Sequence, residues 1–143
     1  SGITPQVFYF ILSAPLSTDY DLPGNGVLVP KVLGCLAIGA MDIRNQCSGF
    51  VYALSTANAF IKAGVYKNIL VIGAEVHSFG LDYSDEGRGV SVIFCFGAGA
   101  VIVSASEEEG RGILSTNLHS EGEFAEELAV TFPGTKTGWS DSK

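Results

Sequence analysis

Basic side chains are scarce in this chain of 143 residues: eight lysines and arginines stand against fifteen aspartates and glutamates, for a net charge of −7. Nucleic acids and anionic membrane surfaces are recognised through basic surface, so neither is expected as a partner. Cysteine is also sparse. Its three copies, Cys35, Cys47 and Cys95, are odd in number and lack framework spacing, which argues against a disulfide scaffold and for a reducing compartment. There is no CxxC pair, and His77 and His119 stand far in sequence from any cysteine, so no metal site is expected. No apolar run approaches the roughly eighteen residues that cross a bilayer, and Ser1-Gly2-Ile3-Thr4-Pro5 has neither the positive region nor the apolar core of a signal peptide. The cytoplasm is therefore the expected location. Internal repeats and low-complexity tracts are missing too.

Apolar material, by contrast, is plentiful: 47% of the residues are hydrophobic and only 16% charged, enough to give one modest domain a large core. Gln6 to Leu12 is a continuous β-rich run and reads as a fully buried strand. Asn25 to Leu33 has helical spacing, which Pro30 should kink or shorten. Ala37 to Ile43 reads as a strand. From Cys47 to Ala63 the residues Phe50, Val51, Leu54, Ala57, Phe60 and Ile61 follow helical spacing, with small alanines opposite. A helix this apolar is expected to be buried on most sides and to end at Gly64. Asn68 to Ala74 is a further buried strand, so strand, helix and strand form a βαβ unit in a parallel sheet. His77 to Gly89 reads as a loop or short irregular helix. Val90 to Phe94, Gly99 to Ser106 and Gly112 to His119 read as strands, with a solvated turn at Glu107-Glu108-Glu109-Gly110. Residues 133–143 read as a linker-like tail.

Cys47 is the most informative residue. The segment Met41 to Phe50 delivers the chain from a strand through a polar turn to the first turn of the long helix. Unpaired backbone N–H groups and the positive end of the helix dipole favour a thiolate there. Cys47 is then either a nucleophile or a small buried apolar residue, and spacing does not separate the two. A thiol–imidazole dyad with His77 or His119 has no specific support from spacing. Arg88 is read as a surface arginine that could hold a phosphate if it stood near a nucleophile. Phe96-Gly97-Ala98-Gly99-Ala100 lacks the helix that a dinucleotide fingerprint must open, because Val101-Ile102-Val103 follows it; a close-packed turn between two strands is expected instead.

Four segments together carry a resemblance: Ser17 to Gly24, Asp42 to Phe50, Tyr66 to Glu75 and Phe94 to Ala100. In order and separation they are similar to β-ketoacyl-acyl carrier protein synthase III, a family of thiolase-fold condensing enzymes. The resemblance implies an α/β, thiolase-like fold with a mixed sheet and a buried nucleophile helix. It also implies that residues 1–143 are one partial domain, part of the N-terminal half of a condensing enzyme. By the same resemblance Cys47 takes an acyl group from acyl-coenzyme A and the acyl-enzyme condenses with malonyl-acyl carrier protein, with no cofactor beyond the coenzyme A substrate. Leu22 is implied in the segment that reaches the partner subunit's acyl pocket of a homodimer, Phe79 in the wall of the acyl tunnel, and Arg88 near the coenzyme A entrance.

Two departures qualify that picture. Cys95-Phe96 stands where family members usually carry Gly-Asp. The decarboxylating histidine and asparagine belong to a half that these residues do not include, and neither His77 nor His119 matches the histidine, so the isolated chain is expected not to condense. A related acyl-condensing enzyme of secondary metabolism and a non-catalytic remnant that keeps the fold remain as alternatives.

Overall fold

The computed structural model describes residues 7, 9–20 and 22–130, except for the side chain of residue 79. The linker expected at 133–143 lies outside them, as do residues 6 and 8 of the first expected strand. Four strands make one sheet in the order β2-β1-β3-β4: β1 (Phe10–Ser13), β2 (Gly39–Asp42), β3 (Asn68–Glu75) and β4 (Gly97–Ser104). β1 pairs in parallel with both β2 and β3, while β4 runs antiparallel to β3 over eight residues, from Asn68 opposite Ser104 to Glu75 opposite Gly97. The sheet is mixed. The expected strand, helix and strand are present as β2, α2 (Gly49–Lys62) and β3, but β1 lies between the two strands, so the crossover spans it.

Both faces of the sheet are covered, which is why β1 and β3 read as unbroken apolar runs. On one face Leu12, Ile69 and Val71 are fully buried with Ala53 and Ala57 of α2, edged by Phe10, Phe50, Leu54 and Phe60. On the other, Ile11 and Leu70 pack with Val29, Ile38 and Ile102. Phe10, Phe60 and Tyr66 close one end of the first layer, Phe10 stacking on Tyr66 with ring centroids 4.7 Å apart. α1 (Val29–Leu33) carries Pro30 in its first turn, where no N–H is needed, so the proline starts the helix and a separate short turn, Asn25–Val27, precedes it.

α2 corrects the expected burial. Its buried residues are Gly49, Ala53 and Ala57, one stripe at every fourth position, whereas Val51 is 53% exposed. Small residues let the helix axis approach the sheet, and the larger side chains flank the contact instead of filling it. Added bulk has no room: a Cβ on Gly49 would stand 3.3 Å from Ala14 Cβ, and one on Gly73 would stand 3.1 Å from the Phe50 ring. The helix ends as expected, with Gly64 at φ +70° and N–H bonds from Gly64 to Ile61 O and from Val65 to Phe60 O, both 2.9 Å.

Two strand expectations and one turn expectation are also corrected. Val90 to Phe94 is not a strand but contributes to a helical turn, α3 (Arg88–Ser91), whose N–H groups bond back to Gly87 O. The free edge of β3 is occupied by Gly97–Ser104, leaving 90–94 no ladder to join. The glycine cluster is not a turn: Gly97 and Gly99 lie within β4, opposite Glu75 and Gly73, and the ladder overrides their weak strand preference. Gly112 to His119 forms no strand; it runs beside α2, where Ser55 Oγ donates to Thr116 Oγ1 at 3.3 Å.

The close seat of α2 predicts that Ala53→Leu costs about 1–3 kcal/mol in urea denaturation, as overpacked cores do, while Val51→Ala stays within about 0.5 kcal/mol. Equal effects would contradict the seat.

Candidate active site

Cys47 is exposed and lies in a single tight turn, Gln46–Ser48, two residues ahead of the first residue of α2. Sequence spacing put it inside the helix. The shift has a visible cause: Gln46 adopts φ +42°, the left-handed region, so the chain cannot run helically through it and must turn before the helix starts. Asn45 Nδ2 donates to Ser48 Oγ at 2.9 Å, and Ser48 Oγ donates to Asn45 O at 3.1 Å, fastening the turn. A non-glycine residue held in that region beside a thiol is the kind of constrained backbone found at functional sites.

The thiol opens on a cleft of about 360 Å³ at the ends of β1 and β3. Ala14, Gly73 and Ala74 supply its floor, and Phe50, Ile93, Phe94 and Phe96 supply apolar walls. The polar groups on it are Gln46, Cys47, Glu75, His77 and Cys95. β4 is responsible for half of this: pairing Gly97 with Glu75 brings Phe94, Cys95 and Phe96 alongside the residues that follow β3. A second hollow, about 480 Å³ between α2 and the far end of β4, holds Lys62 and Arg111 but no thiol or imidazole.

Glu75 organises the cleft wall. Its Oε1 accepts from Leu16 N at 2.6 Å, and its Oε2 accepts from Ser17 N at 2.8 Å and Ser17 Oγ at 2.7 Å. Val76 N donates to Ser17 Oγ at 2.8 Å. The carboxylate thus ties the segment after β1 to the end of β3. His77 stands beside it, Nε2 being 3.6 Å from Glu75 Oε2, with its ring edge-on to Phe94 at 5.0 Å between centroids. Asp42 plays the matching part at the end of β2, accepting from Gly26 N at 2.9 and 3.1 Å through its two oxygens. A Cβ on Gly24 would collide with that carboxylate, so the turn there requires glycine.

The remaining residues singled out from sequence are dispersed. Leu22 is 88% exposed and does not line the cleft. Phe79 belongs to the turn Ser78–Gly80, and its side chain lies outside the described residues. Arg88 begins α3 and is exposed, with no side-chain partner among the described residues. In the loop before it, the Ser84 N–H donates to Asp82 Oδ1 at 2.8 Å, and this bond, with the Ser84 hydroxyl, holds the Asp82 carboxyl below its ordinary range. His119 is exposed, and its carbonyl accepts from the Tyr52 hydroxyl of α2 at 3.4 Å. The local sequence pattern does not single out Glu75, and His77 reads as a loop residue. The available signal was a lone carboxylate closing a buried strand, followed two residues later by an imidazole at the strand's C-terminal end.

The family model for 3-oxoacyl-[acyl-carrier-protein] synthase III matches residues 41–122, which include the Cys47 turn, α2, β3 and β4. The chain belongs to this family. The β-ketoacyl-[acyl-carrier-protein] synthase III of Ehrlichia canis (strain Jake) is 45% identical over 135 residues, 94% of this chain and 41% of that protein. Among solved structures, the 3-oxoacyl-[acyl-carrier-protein] synthase III of Aquifex aeolicus VF5 is 42% identical with a TM-score of 0.70, over 75% of this chain and 34% of that one. The synthase III of Thermus thermophilus is 32% identical with a TM-score of 0.79, over 94% and 41%. The α/β, thiolase-like fold inferred from sequence is thereby confirmed. The chain spans about 40% of the length of the synthase III proteins it matches. Among the described residues, no helix is long and apolar enough to cross a membrane.

The clamp at Glu75 predicts that Glu75→Ala lowers stability by about 1.5–3 kcal/mol, the range for hydrogen bonds to a charged group, in urea denaturation. A loss below about 0.5 kcal/mol would show that the clamp does not hold the β1 and β3 ends together.

Proposed function

We propose that this chain carries the acyl-accepting part of a 3-oxoacyl-acyl carrier protein synthase III, the condensing enzyme that initiates fatty acid synthesis. The observation that supports it most is the placement of an exposed thiol on a fixed turn at the mouth of an apolar cleft, in a member of this family. In this reading the Cys47 sulfur attacks the carbonyl of an acyl-coenzyme A, the carbon–sulfur bond to coenzyme A breaks, and the thiol proton leaves with the coenzyme A thiolate. Sulfur suits the step because it is both a strong nucleophile and a good leaving group, so the intermediate can be made and then broken. In this reading the Cys47 backbone N–H helps stabilise the oxyanion.

The acyl-enzyme then condenses with malonyl-acyl carrier protein, which loses carbon dioxide, to give 3-oxoacyl-acyl carrier protein. That second step draws on a histidine and an asparagine in the part of the enzyme beyond this chain, so the chain by itself acylates without condensing. In this reading residues 1–143 belong to the N-terminal half, the complete enzyme is a cytoplasmic homodimer, and no cofactor is needed beyond the coenzyme A substrate. Leu22, whose side chain is exposed, reaches the acyl pocket of the second subunit. Arg88, exposed and without a side-chain partner among the described residues, meets the coenzyme A phosphates at the entrance. Phe79 lines the acyl tunnel.

Incubation with acetyl-coenzyme A followed by intact-mass measurement is expected to give one acetyl adduct that disappears in Cys47→Ala. No adduct on folded protein would refute the reading. Phe79→Ala is expected to shift the acyl preference toward longer chains, read as relative adduct yields across a series of acyl-coenzyme A donors; an unchanged profile would remove Phe79 from the tunnel.

A further inference from the structure

The imidazole of His77 is a polar side chain on the cleft that acyl transfer does not explain, whereas the Cys95 thiol beside it is turned to Phe96 O at 3.4 Å. Glu75 is occupied by Leu16 and Ser17, and Gln46 shapes the turn, but His77 projects where the other walls are Phe50, Phe94 and Phe96. Its side chain is only 16% exposed. Nε2 faces the Glu75 carboxylate, and the ring plane is set by the edge-on contact with Phe94, so the orientation is fixed from two sides. Nδ1 has no hydrogen-bond partner among the described residues. No buried side-chain nitrogen or oxygen among them is left unpaired, so Nδ1 is open to solvent, and the residue lines the cleft.

We propose that His77 is a specificity-determining residue of the Cys47 site, selecting acyl groups that carry a neutral oxygen, a hydroxyl or a ketone, beyond the thioester carbonyl. The proposal rests on the acyl-transfer reading above. A hydrocarbon chain entering the cleft displaces the water on Nδ1 and returns nothing for it, and a polar group stripped of its partner is penalised more than a made hydrogen bond is rewarded. A hydroxyl or oxo group replaces the lost bond, because an imidazole nitrogen can donate or accept according to its tautomer. A carboxylated acyl group is disfavoured, since it would be brought up against the Glu75 carboxylate. His77 takes no part in the covalent step: the bond to Cys47 forms, the bond to coenzyme A breaks and the proton leaves with coenzyme A as before.

The test compares 3-hydroxybutyryl-coenzyme A with 3-methylbutyryl-coenzyme A, donors of equal length in which a methyl group replaces the hydroxyl. Initial rates of adduct formation on Cys47 are read by intact mass. The native protein is expected to favour the hydroxylated donor about fivefold, the size of one hydrogen bond made rather than lost. His77→Leu is expected to abolish or reverse that preference, and His77→Gln, which keeps a hydrogen-bonding group, to recover part of it. A native protein with no preference for the hydroxylated donor, or a preference that survives in His77→Leu, overturns the proposal while leaving acyl transfer intact. Absence of adduct from both donors overturns the acyl-transfer reading and this one with it.

Discussion

Helix α2 meets the sheet through Gly49, Ala53 and Ala57, and the placement of Cys47 follows from the thinness of that contact. Larger residues at those positions would lift the helix from Ala14 and Ile43, whose atoms already stand 3.3 Å from where a Gly49 Cβ would be. Because the axis lies close, the turn ahead of the helix is carried over the ends of β1 and β3 instead of out into solvent. Cys47 thus shares a cleft with residues more than twenty positions downstream. The large apolar residues of α2 seal the edges of the layer, while the small ones set its spacing.

Two carboxylates then fix what surrounds the thiol. Asp42 and Glu75 each end a strand; Glu75 accepts the backbone N–H groups of Leu16 and Ser17, and Asp42 accepts that of Gly26. Charge-assisted bonds of this kind are shorter and stronger than neutral ones, which suits them to hold loops around an open site. The antiparallel β4 completes the arrangement, since its register brings the Phe94–Phe96 segment to the mouth of the cleft. The walls of the site therefore depend on ladder pairing and on side chains that cap strand ends, more than on the residues that would touch a substrate.

Much of this was legible from the chain alone, and the failures are instructive. β3 and the end of α2 were readable because a long apolar run and a left-handed glycine each have few alternative explanations. The buried face of α2 was misread because hydrophobic size was taken as the sign of burial, when close approach to a sheet selects small residues. Val90 to Phe94 has strand composition and became a helical turn because only one segment can pair with the edge of β3, a competition no local pattern reveals. Cys47 was legible as special through its position between strand and helix and through family resemblance. Glu75 and His77 were not, because their role exists only once Leu16, Ser17 and Phe94 are brought beside them.

The central claim is that, in the acyl transfer proposed above, the spacing of α2 from the sheet, not the mere presence of a cysteine, is what fits Cys47 for the role. The most direct measurement is the rate of acetyl transfer from acetyl-coenzyme A to Cys47 in Gly49→Val, compared with the native protein and with a second variant altered on the exposed face of α2, all shown to be folded by circular dichroism. The account predicts a loss of about tenfold or more in Gly49→Val, since small displacements of a nucleophile cost that much or more, and no change in the exposed-face variant. Equal rates in all three proteins would contradict it.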